Sequence, residues 1–351
     1  MQPIILFPKK QLQGKYCLSP FVQVNISIPG HVRICGCGVW QPTIVGNIFE
    51  NTLSEILAGD TAKKIRQSIV DGTYEYCNEN TCGILYLQNL NSYETLSPEV
   101  KWAIEDTSRF LTPHHIVIGL DPTCNLWCPS CRHQVVKNSK EENDRNQELS
   151  ALLTKNLFDQ PTDKFIELTL DVTGEVFASP LLMDFLNNIK SKDFPNLKID
   201  ILSNGILAPQ RWHRLGEMQN HVHKITISYD AASKEIYEKL RRGGKWEDLL
   251  EALEWLKNKK QENGMQFNTR MVVQKDNYQQ MKDFYDLSKS FNADFVQFQR
   301  LTNWGTFRPD EFDKIDVFAP TSLDYHNAMQ KFKEIENLPD AVFWHGMPKK
   351  S

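Results

Sequence analysis

The sequence predicts an α/β protein built as a partial (β/α)6 barrel behind a small cysteine-rich N-terminal domain. Two observations predict it. From about residue 115, short β-branched runs alternate with helical stretches, the pattern of βαβ units on a parallel sheet. Before that point the chain is rich in turn signals and holds most of the cysteines. The expected boundaries are 1–98 for the first domain, 99–310 for the barrel and 311–351 for a C-terminal extension.

The elements follow in order. Within 1–98, FVQVNISI and HVRIC suit a hairpin around Pro29-Gly30, and LSEILAGDTAKKIRQSIVDG suits one helix. So few elements promise little core, and a metal staple is a sensible supplement. HHIVIGLD (114–121) is the first barrel strand and FIELTLDV (165–172) the second. LLMDFLNNIK is a helix, LKIDILS (197–203) a third strand, and VHKITISYD (222–230) a fourth. A helix from Ser233 breaks at Gly243-Gly244 and resumes as WEDLLEALEWLKNKK. FNTRMVVQ (267–274) is a fifth strand, YQQMKDFYDLSKSF a helix, and DFVQFQRL (294–301) a sixth strand. Six strands fall short of a closed eight-stranded barrel, although a doubly wound sheet satisfies the same pattern. After Asn303 the tail is mixed, with one helix near Ser322–Ile335.

Composition narrows the function. At 351 residues the chain is long enough for a sizeable core, and 40% hydrophobic with 24% charged residues is ordinary for a globular protein. The net charge of −4 and the lack of a long basic block argue against nucleic acid as a partner. No stretch reads as a membrane span. MQPIILFPKK carries its positive charges after its apolar run, the reverse of a secretory signal. A cytoplasmic location follows, and a reducing compartment turns the eight cysteines toward metal or catalytic thiolates.

All eight cysteines lie between Cys17 and Cys131 in two groups. Cys124-Asn-Leu-Trp-Cys128-Pro-Ser-Cys131 puts three thiolates on the loop after the first barrel strand, where sites of parallel α/β folds occur. Three are too few to close a zinc site or to saturate a 4Fe–4S cluster, so one iron stays open. His133 is a candidate fourth ligand.

This CxxxCxxC loop resembles that of the radical S-adenosylmethionine superfamily. The resemblance implies a 4Fe–4S cluster on Cys124, Cys128 and Cys131 that chelates S-adenosylmethionine. It also implies reductive cleavage to a 5′-deoxyadenosyl radical, hydrogen abstraction from a substrate carbon, and an external flavodoxin- or ferredoxin-type electron donor. Further positions match strand by strand. Gly174-Glu175 corresponds to the turn that binds the methionine amino group, with Thr173 in place of its first glycine. Ser203 and Asn204 correspond to polar groups for the ribose or carboxylate. Ser228 and Asp230 sit in a Ser-Tyr-Asp-Ala similar to the family's Ser-Ile-Asp-Ala, and Arg241 corresponds to the holder of the methionine carboxylate. Val273 falls near the adenine. The loop departs from the family at Ser130, where an aromatic residue is usual. Taken singly, a Gly-Glu, a Ser-Asn-Gly or an Arg before Gly-Gly reads as a turn or a helix end; their order behind the triplet joins them.

In the N-terminal region, Cys17-x12-Gly30-x4-Cys35 followed by Cys77-x4-Cys82 resembles the auxiliary-cluster module called SPASM or, in shorter form, twitch. That resemblance implies an auxiliary 4Fe–4S cluster on Cys17, Cys35, Cys77 and Cys82, with Cys37 in reserve. A four-cysteine zinc staple satisfies the same count. The module implies a ribosomally made precursor peptide as substrate. A separate small recognition protein is expected, because residues 1–16 are too few for a peptide-binding domain. The rival expectations are a dehydrogenase of a sugar or other small molecule and a non-catalytic iron–sulfur or zinc scaffold. Gln297, Gln299, Arg300 and Trp304 stand beyond the sixth strand as substrate-facing or merely surface residues. The catalytic acid or base and the reacting carbon are not legible.

Overall fold

Alternating β-branched runs and capped helices organise the computed structural model, which describes residues 12–79, 81–86, 88–170, 173–344 and 346–348. The apolar run near the start of the chain and the last two residues of the FIELTLDV strand lie outside these. The chain divides into two units: 1–121 with 138–173 and 184–199, and 122–137 with 174–183 and 200–351.

The first unit opens with β1 (Lys15–Tyr16), α1 (Ser19–Val22), β2 (Gln23–Ser27), β3 (His31–Arg33) and β4 (Gly46–Asn47). Then come α2 (Leu53–Ala58), α3 (Asp60–Val70), α4 (Gly83–Tyr86), β5 (Asn91–Ser92) and α5 (Pro98–Glu105). The expected hairpin is β2–β3, antiparallel around Gly30. The single expected helix is two, because Gly59 is extended (φ −67°, ψ 157°) and ends α2 before α3 begins. A Thr52–Glu55 capping box starts α2.

After α5 come β6 (His115–Gly119), α6 (Lys140–Phe158) and β7 (Ile166–Leu170). β6 pairs in parallel with β7 and, on its other side, with β2. The N-terminal hairpin therefore extends the sheet of the first barrel strand. The region also holds more core than its composition promises. Phe21, Val22, Ile69, Tyr74, Leu96, Val100, Ala103 and Ile104 form one buried cluster from α1, α3, α5 and the segments between them.

α7 (Pro180–Asn187) and β8 (Leu197–Ser203) divide between the units. The second unit continues with α8 (Ala208–Arg211), β9 (Val222–Ser228), α9 (Lys234–Leu240), α10 (Trp246–Asn263), β10 (Gln266–Val273), α11 (Met281–Ser290) and β11 (Phe295–Arg300). It closes with α12 (Pro309–Ile315), α13 (Tyr325–Ile335) and β12 (Ala341–Trp344). β9, β10, β11 and β12 are parallel neighbours in that order. β12 was not expected: four residues, AVFW, carry too short a pattern to separate strand from helix end.

In this unit Phe267, Thr269, Met271 and Val273 share one face of β10 and are fully buried. Asn268, Arg270 and Val272 share the other, beside Thr226 and Ser228 of β9. The polar face of a parallel sheet is thus turned to the same side at the strand ends that precede the site loops.

Candidate functional site

The thiol loop of the second unit is shaped by its own backbone. The N–H groups of Cys131 and Arg132 both donate to the Cys128 carbonyl at 2.9 Å, which curls the loop behind Pro129. The Leu126 N–H donates to the Cys124 sulfur at 3.4 Å. Leu126 is buried and Cys128 is 8% exposed, whereas Cys131 faces solvent. Two guanidiniums reach the sulfurs: Arg132 Nη2 lies 3.5 Å from Cys131 Sγ and Arg241 Nη1 lies 4.0 Å from Cys128 Sγ. Burial pushes the Cys124 thiol up to about 11. It also raises Cys128, with the neighbouring Arg241 charge pulling the other way.

The loop is docked on the turn after α9. The Trp127 N–H donates to the Arg242 carbonyl at 3.1 Å. Its ring lies against Gly243, where an added Cβ would come within 2.6 Å of it at a φ of +91° that already favours glycine. At Gly244 a would-be Cβ would stand 2.7 Å from the Tyr237 hydroxyl.

Behind Arg241 lies a buried ion pair. Arg241 Nη2 is 2.8 Å from Asp230 Oδ2, with the two side chains 13% and 3% exposed. Asp230 Oδ1 also accepts from the Val272 N–H at 2.8 Å. Asp230 adopts the left-handed conformation (φ 60°), which aspartate tolerates better than most residues. Its carbonyl accepts from Asn277 Nδ2 at 2.8 Å; the same amide nitrogen bonds Val272 O, and Asn277 Oδ1 accepts from the Gln274 N–H. Burial opposes the Arg241 charge, but Asp230 and Cys128 outweigh it and hold the guanidinium firmly protonated. Arg241 Nε and the Tyr237 hydroxyl are buried with no protein partner.

Glu175 organises the strand ends beside this. It is 2% exposed. Ser203 Oγ donates to its Oε1 at 2.6 Å, the Asn204 N–H to its Oε2 at 2.7 Å, and the Phe177 N–H to Oε1 at 3.2 Å. Burial raises its pKa, partly offset by those donors and by Arg241. Asn204 Nδ2 reaches Asn125 Oδ1, inside the thiol loop, at 2.9 Å.

In the first unit a small pocket is lined by Cys17, Cys35, Cys77 and Cys82 together with Ser19, Pro20, Trp40, Gln41, Tyr74, Ile84 and Leu85. Cys37 is not among its lining residues. The sulfurs receive N–H groups from just downstream: Cys17 from Ser19, Cys35 from Cys37, and Cys82 from Leu85 and Ile84. Burial pushes the Cys82 thiol up to about 11 and raises Cys17 and Cys35, the latter further because neighbouring thiols repel its negative form. Tyr74, left-handed at φ 51°, accepts from the Cys17 N–H at 3.1 Å and donates to the Lys15 carbonyl at 2.6 Å.

A family model described as the radical SAM superfamily matches residues 120–288, and one for SPASM, an iron–sulfur cluster-binding domain, matches residues 17–83. The chain carries a radical SAM domain and, N-terminal to it, a SPASM domain. Among solved structures it is similar to SuiB of Streptococcus suis bound to S-adenosylmethionine, at 15% identity over 72% of this chain and 53% of that one, with a TM-score of 0.42. It is also similar to anSMEcpe with bound AdoMet, at 15% identity over 66% of this chain and 61% of that one, TM-score 0.42. A radical SAM methyltransferase from Sphaerobacter thermophilus matches at 14% identity over 65% of each chain, TM-score 0.41. The chain thus spans 53% to 65% of the length of these structures. No curated protein matches the sequence.

A radical SAM domain uses a 4Fe–4S cluster and S-adenosylmethionine, and a SPASM domain binds auxiliary clusters; the two thiol sets of this chain fit them. Iron–sulfur ligands are thiolates whose sulfurs accept N–H groups, and both sets have N–H donors already aimed at sulfur. The raised thiol pKa values reflect burial of groups that a cationic cluster would hold deprotonated. Arg241 Nε offers a buried donor for an anionic ligand group. Among the described residues no group of three or more histidine, cysteine, aspartate or glutamate side chains is drawn in around a single-ion point.

Of the residues singled out in the sequence, Gly174, Glu175, Ser203, Asn204, Asp230 and Arg241 come together with the thiol loop in the second unit. Ser228 ends β9 one residue before Tyr229, half-buried and in register with Arg270. Val273 is enclosed on the opposite face of β10 from Arg270, and Val272 is the residue whose N–H meets Asp230. His133 is exposed on the same loop. Gln297 and Gln299 are buried, Arg300 is paired with Asp316 at 2.6 Å, and Trp304 is exposed. Sequence reasoning missed Asn277, Asn125, Trp127, Arg132, Gln41 and Tyr74. The Trp127–Gly243 contact had one visible sign, the Gly-Gly pair after α9.

Proposed function

We propose that this chain abstracts hydrogen from a carbon of a ribosomally synthesised precursor peptide, using S-adenosylmethionine on the cluster of Cys124, Cys128 and Cys131. The observation that carries this is the pairing of two separate thiol sites, one with three cysteines among charged groups and one with four in an apolar cavity. The SPASM domain supports the peptide reading. When bound, the first cluster with S-adenosylmethionine supplies methionine and a 5′-deoxyadenosyl radical by one-electron cleavage of the sulfonium, and the second an electron site.

The chain's own residues bind and aim. Arg241, held by Asp230, presents a guanidinium beside Cys128 with Nε directed to no protein group, the donor for the methionine carboxylate. Glu175 supplies a buried negative charge for the ammonium, and its hydrogen bonds to Ser203 and Asn204 hold the strand ends in place. Gly174, Ser228, Asp230 and the β10 end at Val272 complete the proposed pocket, with Val273 backing it from the opposite face of the strand. Cys17, Cys35, Cys77 and Cys82 are the proposed auxiliary ligands. Cys37 serves as an N–H donor to Cys35.

The domains are read as 1–98, 99–310 and 311–351. A separate small protein presents the peptide and a flavodoxin or ferredoxin delivers the electron. Eight free thiols suit a cytoplasmic setting; no described helix is long and apolar enough to cross a membrane.

The test is anaerobic incubation of the reconstituted chain with S-adenosylmethionine, a strong reductant and short peptides encoded beside its gene. A mass change in one peptide, matched by 5′-deoxyadenosine, supports the proposal. 5′-Deoxyadenosine formed only with a sugar substrate would overturn the peptide.

A further inference from the structure

Asn277 lies in the turn between β10 and α11, fully buried, and belongs to neither thiol set. The turn closes through its own backbone: the Asn277 N–H donates to the Gln274 carbonyl at 3.1 Å, and the Gln280 N–H to the Asn277 carbonyl at 2.9 Å. The side chain reaches further. Its Oδ1 accepts from the Gln274 N–H at 2.8 Å. Its Nδ2 donates to the Asp230 carbonyl, 47 residues upstream, at 2.8 Å and to the Val272 carbonyl at 2.9 Å. An amide nitrogen carries two hydrogens, so both carbonyls are met, and a flipped amide would set its oxygen against the pair of them.

Asp230 is where the reach matters. It is left-handed at φ 60°, a conformation that a non-glycine residue keeps only where its surroundings over-determine it. Two bonds from β10 and its turn do so: the Val272 N–H on Oδ1 and Asn277 Nδ2 on the carbonyl. With both ends fixed, Oδ2 meets Arg241 Nη2 at 2.8 Å, and the same guanidinium stands 4.0 Å from Cys128 Sγ through Nη1. Other contacts of the turn support the passage into α9. Gln280 Oε1 accepts from the Ala232 N–H at 3.0 Å, its Nε2 donates to Ser233 Oγ at 3.0 Å, and Lys239 pairs with Asp276 at 2.7 Å. None of these three touches Asp230 itself.

We propose that Asn277 is a positioning residue for S-adenosylmethionine binding: it locks Asp230 in its left-handed conformation, and Asp230 in turn fixes where Arg241 presents its guanidinium. The proposal rests on the reading of Arg241 as the holder of the methionine carboxylate. Its physical basis is preorganisation. An arginine already held in its binding geometry loses less freedom when the ligand arrives, so releasing the support lowers affinity without removing any group that touches the ligand.

The experiment uses the full-length, anaerobically reconstituted protein in four forms: unaltered, Asn277→Ala, Asp230→Asn and the two together. Equilibrium binding of S-adenosylmethionine, iron content and Tm are read for each. The expected result is unchanged iron, binding weaker by about tenfold in Asn277→Ala, and almost no further loss when the same change is made on top of Asp230→Asn. Tm should fall with Asn277→Ala in both backgrounds, since the bonds to Val272 and Gln274 are lost in each. A lowered Tm with binding unchanged would make the amide merely structural and overturn the proposal. Equal losses of binding in the two backgrounds would also overturn it, because Asn277 would then act by a route other than Asp230. Unchanged binding in Asp230→Asn alone instead overturns the Arg241–Asp230 reading beneath it, and the proposal with it. Should Asn277→Ala fail to fold, Asn277→Ser, which keeps a hydroxyl for one carbonyl, takes its place in the cycle. If that variant also fails to fold, the amide holds the fold rather than the aspartate, and the proposal falls.

Discussion

The two thiol sites of this protein solve the same problem in opposite ways. Both bury sulfur and both aim nearby backbone N–H groups at it, Leu126 at Cys124 and Cys37 at Cys35. Beyond that they diverge. The N-terminal cavity offers four thiols, apolar walls and one half-satisfied amide. The loop of the second unit offers three thiols, two guanidiniums against sulfur, and buried carboxylates at Glu175 and Asp230. Full ligation in an apolar wall suits a centre that only exchanges electrons. A missing ligand among fixed charges suits one that also holds a zwitterion, whose carboxylate and ammonium need partners of opposite sign.

The largest expected effect separates the two sites outright. Cys128→Ala should remove about four irons per chain, one 4Fe–4S cluster, and abolish 5′-deoxyadenosine formation. Cys82→Ala should also remove about four irons but leave cleavage of S-adenosylmethionine intact while stopping substrate turnover. If either variant lost both clusters, the sites would not be independent.

Next comes the ion pair behind the loop. Asp230→Asn removes the charge that holds Arg241 and leaves a buried guanidinium uncompensated. A lost charge-assisted bond of roughly 1.5–3 kcal/mol corresponds to S-adenosylmethionine binding weaker by about 10- to 150-fold. Equilibrium binding with iron content as the control reads it, and Asp230→Glu should recover part of the loss. Binding unchanged by the asparagine would remove Asp230 from the site's working parts.

A smaller effect is steric. Gly243→Ala places a Cβ against the Trp127 ring at a positive φ and should cost about 1–3 kcal/mol, read as a lowered Tm. The same substitution at Gly264, equally left-handed but with nothing within 4 Å, should cost less, because only the backbone term remains. Equal losses would mean that the tryptophan does not clamp the loop.

A further effect concerns pH and metal removal. In the iron-free protein Cys82 and Cys124 are raised from 9.0 to about 11. The folded form then prefers the neutral thiol, so this contribution to stability is full below the unfolded value and is lost as pH rises between about 9 and about 11. Loaded with cluster, the thiolates are already ionised and the pH-dependence should vanish. A denaturant midpoint measured across that window with and without iron checks it; parallel curves would contradict the burial of these thiols.

Much of the second unit was legible in the sequence because its signals are local. The CxxxCxxC spacing states its ligand chemistry directly, and Glu175, Ser203 and Arg241 fall at strand or helix ends set by hydrophobic period. Asp230 was legible as a site residue, but its bond to the Val272 N–H was not, since that depends on the β9–β10 register. The N-terminal region was harder. The parallel pairing of β2 with β6 joins segments about 90 residues apart, and nothing in either run names the other. Tyr74 carries no motif. Its role arises only when Cys17, Cys35, Cys77 and Cys82 are folded around it.

The central claim is that both thiol sets hold iron–sulfur clusters and that the second unit's cluster cleaves S-adenosylmethionine. Counting iron and sulfide per anaerobically reconstituted chain, then assaying 5′-deoxyadenosine after reduction, tests it most directly. Two 4Fe–4S clusters require about eight irons, with 5′-deoxyadenosine formed and lost on Cys124→Ala. Zinc in place of iron, or iron without cleavage, would contradict it.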